Sequence, residues 1–183
     1  GLGDVYKRQM LEPMAVAVHG LRSVKLEADD ITTVCGLGTI GLLLTMFLIE
    51  QGIKNILVVG NKNFQKEMVK RLGLQEGSYC DSRATDLAQW IIEKTNGKGA
   101  DVFFECVGKN ETIRSALWCT APEGTVQLVG NPASDICLDK NSYWKILRNQ
   151  LTVKGSWNSS FTHQKDDDWH YVLDRLSLIH ISE

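Results

Sequence analysis

Apolar residues along this chain follow two patterns that alternate. Short unbroken runs, such as residues 56–59, are typical of strands buried on both faces of a parallel sheet. Longer segments with apolar residues three or four positions apart are typical of helices. The runs predict strands at 31–35, 56–59, 78–80, 101–108, 125–130 and 151–156, with a short edge strand at 136–138. The spaced segments predict helices at 10–24, 42–49, 64–72, 86–95, 111–119, 142–148 and 166–176.

Strict alternation of strand and helix predicts an α/β fold with right-handed crossovers and a doubly wound parallel sheet. We expect about six strands in the order 3-2-1-4-5-6, as in a complete dinucleotide-binding sheet. Local residues place the helix ends. Pro13 is expected in the first turn of the first helix, Asn63 at an N-cap, and Gly52 and Gly73 at C-caps.

The turn after the first strand carries three glycines, Gly36, Gly38 and Gly41, spaced as G-x-G-x-x-G. In such a turn the first glycine permits a tight bend, the second lets the backbone approach a pyrophosphate, and the third lets the helix pack on the strand. The free N–H groups and positive dipole at the helix start then attract phosphates. Because methyltransferases carry similar loops, the rest of the chain has to decide which nucleotide is bound.

Composition and charge narrow the function. The 183 residues are 43% hydrophobic, with a formal net charge of −2 and no basic cluster, so neither nucleic acid nor an anionic membrane is an expected partner. The longest apolar stretch, residues 40–49, is too short to span a bilayer, and we find no secretory signal. Five unpaired cysteines in mostly apolar surroundings indicate reduced, buried thiols and a cytoplasmic protein.

The two ends differ from the rest. Residues 1–9 and 177–183 do not continue the flanking patterns and resemble translated sequencing-adapter sequence, so we interpret them as non-native tails. Residues 10–176 then form one dinucleotide-binding domain, and we expect the natural protein to be longer at both ends.

Four segments resemble medium-chain zinc-dependent alcohol and polyol dehydrogenases. Residues 11–19 resemble the family's E-P-x-x-V/A-x-x-H helix, 34–43 its nucleotide loop and 104–108 its D/E-x-x-G turn, and 145–157 are similar to galactitol-1-phosphate 5-dehydrogenases. The resemblance implies a Rossmann fold and hydride transfer between NAD(P) and a polyol or sugar-alcohol phosphate. It also implies a homodimer or homotetramer, and a catalytic zinc held mainly by an N-terminal domain that this sequence lacks.

The resemblance assigns no catalytic residue to this chain but does assign cofactor contacts. They lie where the carboxyl ends of the strands meet, in three loops and the start of one helix. They are Gly36, Gly38, Thr39, Ile40, Gly41, Gly60, Asn61, Lys62, Cys106, Val107, Gly108, Val129 and Gly130.

Glu12 is the metal candidate. In polyol dehydrogenases the glutamate of this Glu-Pro pair lies at the catalytic zinc, and a carboxylate suits that metal. The alternative is a glutamate favoured at a helix start by the dipole. Elsewhere, we expect His19 to pack in the core or at an interface, His163 and His170 to be solvated, and the acidic run 166–168 to mark a helix start.

The second strand ends in Gly60, where dinucleotide-binding proteins usually carry an acid that binds the ribose 2′-hydroxyl. Without that carboxylate a 2′-phosphate meets no repulsion, and Lys62 adds a cation nearby. The sequence therefore favours NADP modestly, the alternative being a solvated lysine and an NAD enzyme. Two other functions stay open: a non-catalytic dinucleotide sensor and a class I methyltransferase.

Overall fold

A computed structural model of the chain describes residues 1–176, and strands and helices alternate through it. Seven α-helices, a short 3₁₀ helix at Glu76–Ser78 and six strands are present in this range. The helices are α1 Leu2–Arg22, α2 Thr39–Glu50, α3 Asn63–Arg71, α4 Leu87–Lys94, α5 Asn110–Cys119, α6 Lys140–Arg148 and α7 Asp168–Leu176. The strands are β1 Ile31–Cys35, β2 Asn55–Gly60, β3 Tyr79–Asp81, β4 Ala100–Glu105, β5 Thr120–Leu128 and β6 Thr152–Gly155.

The six strands form one parallel sheet in the order β3-β2-β1-β4-β5-β6, which confirms the predicted order. Strand β1 is central: Val34 pairs with Val58 of β2 on one side and with Phe104 of β4 on the other. The chain leaves β3 at one edge and returns beside β1, so the order reverses between β1 and β4. Open α/β sheets bind ligands in the crevice at such a reversal.

Side chains alternate between two apolar cores, one on each face of the sheet. Phe104 and Val34 face the core under α1, α2 and α7, whereas Phe103 and Cys35 face the core under α4 and α5. These four side chains are almost completely buried. Burial on both faces explains why these strands read as unbroken apolar runs in the sequence.

Helix α1 begins at Leu2, so its backbone continues through the predicted N-terminal tail, and it ends at Arg22. The prediction that Pro13 lies in the first turn was therefore wrong, because Pro13 lies inside the helix. A proline in a helix interior removes one hydrogen bond and costs about 3 kcal/mol. The face that buries Met14, Val18 and Leu21 against α2 and α7 offsets this cost.

Two other predicted elements differ. The segment 136–138 is not a strand, since β6 pairs with β5 and takes the place at that edge. The side chain of Asn63 does not cap α3: Lys62 holds the N-cap position, and the Asn63 oxygen accepts from Arg83 at 2.8 Å. The predicted tail 177–183 lies outside the described residues.

The acidic run before α7 fixes that helix to α1. Asp167 caps α7 by accepting the His170 N–H at 2.8 Å, as expected of an acid at a helix start. The buried Asp168 carboxylate contacts His19 Nδ1 at 2.8 Å and accepts from Arg22 at 3.3 Å. His19 therefore makes a polar contact between helices, and His170, expected to be solvated, contacts Asp167 at 2.7 Å.

Two further expectations concern a membrane-spanning stretch and the burial of the cysteines. Within residues 1–176, no helix combines the length and apolar character needed to cross a membrane. Three cysteines are buried, Cys106 is half-buried and Cys137 is exposed.

Candidate functional site

The loop between β1 and α2 uses its three glycines for three different reasons. Gly36 has φ of +99°, and a Cβ there would lie 2.7 Å from the Val107 side chain. A Cβ on Gly41 would overlap the Gly36 carbonyl oxygen, so α2 could not begin where it does. A Cβ on Gly38 would meet nothing within 4 Å, because that position faces open space. The fold therefore demands the first and third glycines, whereas Gly38 faces open space and is not demanded by protein contacts among the described residues.

The first turn of α2 presents unused donors beside that space. Gly38 is the N-cap residue and supplies no side-chain cap, and its carbonyl accepts the first helical bond from Leu42 at 2.9 Å. The N–H groups of Gly38, Thr39 and Ile40 have no acceptor among residues 1–176. Unsatisfied donors and the positive end of a helix dipole together make an anion site.

A cleft of about 600 Å³ lies against this helix start, at the carboxyl ends of β1, β2 and β4. Seven of the predicted cofactor contacts line it: Gly36, Gly38, Gly60, Asn61, Lys62, Cys106 and Val107. The sequence did not indicate several other wall residues, among which are Leu37, Gln65, Ser82, Thr85, Asp86, Leu87, Lys109, Glu111, Thr112 and Ser115. Most of these are polar side chains on loops and in first helical turns, and for most of them no spacing in the sequence predicts a cleft position.

Six predicted contacts lie beside the cleft wall. Thr39, Ile40 and Gly41 form the start of α2. Gly108 has φ of +80° and packs on Asn131, and a Cβ on Gly130 would overlap the Gly108 nitrogen, so these glycines let the segment after β5 pass close to the turn after β4. Val129 packs against the core under α1. Any cofactor contact by these six residues stays a prediction.

Glu105, the last residue of β4, holds the turn that forms one wall of the cleft. Its side chain is completely buried, and its Oε1 accepts from the N–H groups of Val107 at 2.8 Å and Gly108 at 2.7 Å, and from the Thr112 hydroxyl at 2.9 Å. Its second oxygen has no partner among the described residues. The acid of this D/E-x-x-G segment is therefore a structural residue that fixes Val107 against Gly36.

At the end of β2 a different side chain fills the place of the missing acid. Gln65 Oε1 accepts from the N–H groups of Asn61 at 2.9 Å and Lys62 at 3.1 Å. A Cβ on Gly60 would lie 2.6 Å from that oxygen. The Gly60 carbonyl accepts from the Ser82 N–H at 2.9 Å, which ties β2 to the segment after β3.

Two cationic side chains, Arg83 and Lys62, lie near the end of β2, and they differ in whether an acidic side chain already binds them. Arg83 donates to Asp81 at 2.7 and 3.0 Å, and these hydrogen bonds hold the pKa of Asp81 at about 2. Arg83 is thus engaged by Asp81 and Asn63. Lys62 is exposed, and within the described part of the chain no acidic side chain lies within salt-bridge distance of it.

Neither cleft cysteine is an activated nucleophile. Burial, together with the nearby Glu105, raises the pKa of Cys35 and of Cys106 well above the ordinary thiol value. Both thiols are therefore neutral near pH 7. Because reactivity and metal binding require the thiolate, neither cysteine is poised for them.

Glu12 lies exposed on α1. Across residues 1–176 no group of three or more histidine, cysteine, aspartate or glutamate side chains is placed to hold a metal ion. A structural or catalytic zinc needs three or four protein ligands, so the described residues do not form a zinc site by themselves. At most, Glu12 offers one ligand.

The parallel sheet, its reversal between β1 and β4 and the open donors at α2 define a nucleotide-binding domain of the Rossmann type. Sequence comparison gives the particular family. The chain belongs to the zinc-binding dehydrogenases, whose sequence profile matches residues 39–177. This membership argues against a methyltransferase.

Two relatives illustrate the relationship. The sorbitol dehydrogenase of Halalkalibacterium halodurans is 27% identical over 168 residues, covering 92% of this chain and 47% of that protein. The galactitol 1-phosphate 5-dehydrogenase of Escherichia coli K12 is 23% identical over 159 residues, covering 87% of this chain and 45% of that protein. The chain thus spans about half the length of these relatives.

Solved structures agree on the fold. The 2R,3R-butanediol dehydrogenase of Bacillus subtilis superposes with a TM-score of 0.80 at 30% identity, covering 94% of this chain and 46% of that one. A zinc-binding dehydrogenase of Sinorhizobium meliloti, solved with NADP bound, gives 0.78 at 23% identity, covering 92% and 47%. Both confirm the Rossmann arrangement.

Proposed function

We propose that this chain binds NAD(P) in the cleft beside α2 and serves as the coenzyme-binding domain of a dehydrogenase that acts on polyols or sugar-alcohol phosphates. The observation that carries the proposal is the set of open donors at Gly38, Thr39 and Ile40 beside empty space. A pyrophosphate placed there accepts these N–H groups and is stabilised by the helix dipole. The NADP of the Sinorhizobium meliloti relative supports this choice of ligand.

The chain's own residues bind and orient the cofactor. The α2 start fixes the pyrophosphate, the β2–α3 loop receives the adenosine ribose, and Val107, held by Glu105, forms the opposite wall. When bound, the nicotinamide supplies the redox chemistry by accepting or donating a hydride. We assign no catalytic residue to this chain.

The substrate class rests on the relatives. Sorbitol and galactitol 1-phosphate, the substrates their names give, are both sugar alcohols, and one is phosphorylated. We infer a polyol or sugar-alcohol phosphate for the complete enzyme. By the same resemblance we infer a cytoplasmic homodimer or homotetramer whose zinc is held mainly by another domain, with Glu12 as one ligand.

NADP is the cofactor we favour, by a modest margin. Lys62 is exposed on the cleft wall, and Gly60 puts no carboxylate near a 2′-phosphate. A hydrogen bond between Lys62 and that phosphate contributes about 1.5–3 kcal/mol when well formed, and water and salt reduce it.

Isothermal titration of the purified chain with NADP, NAD and S-adenosylmethionine tests the proposal. We expect one-to-one binding of both dinucleotides, tighter for NADP, and no heat from S-adenosylmethionine. We also expect no turnover, since the described residues form no zinc site. Polyol-dependent reduction of NAD(P) by this chain alone would contradict the proposal that another domain holds the zinc. Binding of S-adenosylmethionine without binding of either dinucleotide would contradict the proposal that the ligand is NAD(P).

A further inference from the structure

The Gln65 carboxamide has one end fixed by the β2–α3 loop. It is the third residue of α3 and only 4% exposed, and its Oε1 accepts two backbone N–H groups, those of Asn61 and Lys62. Because both partners are donors, the oxygen must face them, and the orientation of the amide is settled. The Nε2 group therefore points away from the loop backbone.

Gly60 makes room for this arrangement. A Cβ at Gly60 would lie 2.6 Å from Gln65 Oε1 and 3.0 Å from the Tyr79 ring. Any side chain at position 60 would displace Gln65. The polar group at the end of β2 thus comes from the first turn of α3 instead of from β2 itself.

The Nε2 group is a donor with no described acceptor. Gln65 lines the cleft, and among residues 1–176 nothing accepts from its amide nitrogen. Two sets of neighbouring donors are already used: Arg83 donates to Asp81 and Asn63, and the two loop N–H groups donate to Gln65 itself. A ligand oxygen in this part of the cleft therefore finds the buried Gln65 amide together with the exposed side chains of Asn61, Lys62 and Thr85 as donors.

We propose that Gln65 reads the 2′ position of the adenosine ribose, with Oε1 holding the loop and Nε2 donating to the 2′-hydroxyl oxygen or to a 2′-phosphate. This inference rests on the proposed binding of NAD(P). A neutral amide repels neither form of the cofactor, whereas a carboxylate accepts from ribose hydroxyls and repels a 2′-phosphate. Gln65 accordingly lets the site accept both cofactors and leaves the preference to Lys62.

The alternative is that Gln65 only caps α3. Gln65→Glu separates the two roles, because a glutamate oxygen still accepts the Asn61 and Lys62 N–H groups while the amide donor becomes an acceptor. A capping residue that lies away from the 2′ group changes NAD and NADP affinity by the same factor, since a new carboxylate alters their ratio only where it lies close to that group. A reading role changes their ratio.

The experiment measures the Kd of NADP and of NAD for the purified chain, Gln65→Glu and the control Gln75→Glu, which makes the same charge change at an exposed residue outside the cleft. We expect Gln65→Glu to shift the affinity ratio toward NAD by about tenfold, the effect of one hydrogen bond to a charged group. The control should shift it by less than about twofold, a change too small to represent a hydrogen bond. An unchanged ratio in a folded Gln65→Glu protein overturns the inference.

A second arm needs no variant. Adenosine 5′-monophosphate and its 2′-deoxy analogue are titrated into the unaltered chain, and we expect the deoxy compound to bind about fivefold more weakly, as for the loss of one hydrogen bond. Equal affinity overturns the inference even if Gln65→Glu fails to fold. If the unaltered chain binds neither dinucleotide, the proposed function falls as well; if it binds both and only the ratio or the deoxy result fails, the reading role alone falls.

Discussion

Replacing Gly38 separates ligand binding from folding. Gly38 has φ of −70° and ψ of −168°, a backbone conformation open to any residue, and a Cβ there meets no protein atom within 4 Å. Gly38→Ala should therefore fold normally and gain about 0.5 kcal/mol, because alanine restricts the unfolded chain more than glycine does. The same Cβ lies where we place the pyrophosphate.

Gly38→Asp adds a charge to that position. A carboxylate about 5 Å from the pyrophosphate, at an effective dielectric constant of about 20, is repelled by about 3 kcal/mol for each unit of phosphate charge. This predicts an affinity for NADP at least about 100-fold weaker, with a smaller loss for Gly38→Ala. Titration calorimetry gives the affinities, and thermal melting followed by circular dichroism checks the fold.

Gly41→Ala is the matched control for folding. Its Cβ would overlap the Gly36 carbonyl oxygen, so this variant should lose stability where Gly38→Ala does not. If Gly38→Asp folds and binds NADP within about threefold of the unaltered chain, a change too small for a charge at the pyrophosphate, the phosphate loop has no role in binding.

Four further results are expected. Lys62→Ala should abolish most of the preference for NADP, and raising the salt concentration should weaken that preference in the unaltered chain; a preference unchanged by both would contradict the role of this lysine. Glu105→Ala should lower the free energy of unfolding by about 3 kcal/mol because it strands two buried N–H groups, whereas Glu105→Gln should stay within about 1 kcal/mol, measured by urea unfolding. Burial opposes ionisation of Asp167, but hydrogen bonds from His170 and Thr162 outweigh it and lower its pKa from 3.8 to about 2. That stabilisation is present above pH 4 and is lost as the pH falls toward 2, so the stability deficit of Asp167→Asn should shrink as the pH falls below 4. In the complete enzyme, Glu12→Ala should lower kcat more than cofactor affinity; unchanged zinc content and kcat would leave Glu12 a surface residue.

The sheet and the glycine loop could be predicted because their causes are local. Buried parallel strands require unbroken apolar runs, and the loop requires Gly36 and Gly41 at fixed spacing for steric reasons that the structure displays. Alternation of strands with helices predicts a parallel sheet, and the glycine loop with about six strands predicts the order of a dinucleotide-binding sheet.

The ribose end of the cleft could not be predicted in the same way. The expected acid at the end of β2 is replaced by Gly60, and the polar group comes instead from Gln65 in the first turn of α3. One signal was available: Gln65 lies three residues after the N-cap Lys62, the spacing at which a glutamine reaches back to the N-cap N–H. The contact between His19 and Asp168 joins residues 149 positions apart and has no local signal.

We propose that the pyrophosphate of NAD(P) binds at the start of α2. Amide chemical shifts of the ¹⁵N-labelled chain, recorded during titration with NADP, test this binding at single residues. We expect the largest shifts at Gly38, Thr39 and Ile40, with a second group at the β2–α3 loop. Shifts confined to the concavity of about 480 Å³ at the other end of the sheet, around Lys54 and Leu74, would contradict it, as would no shift at saturating NADP.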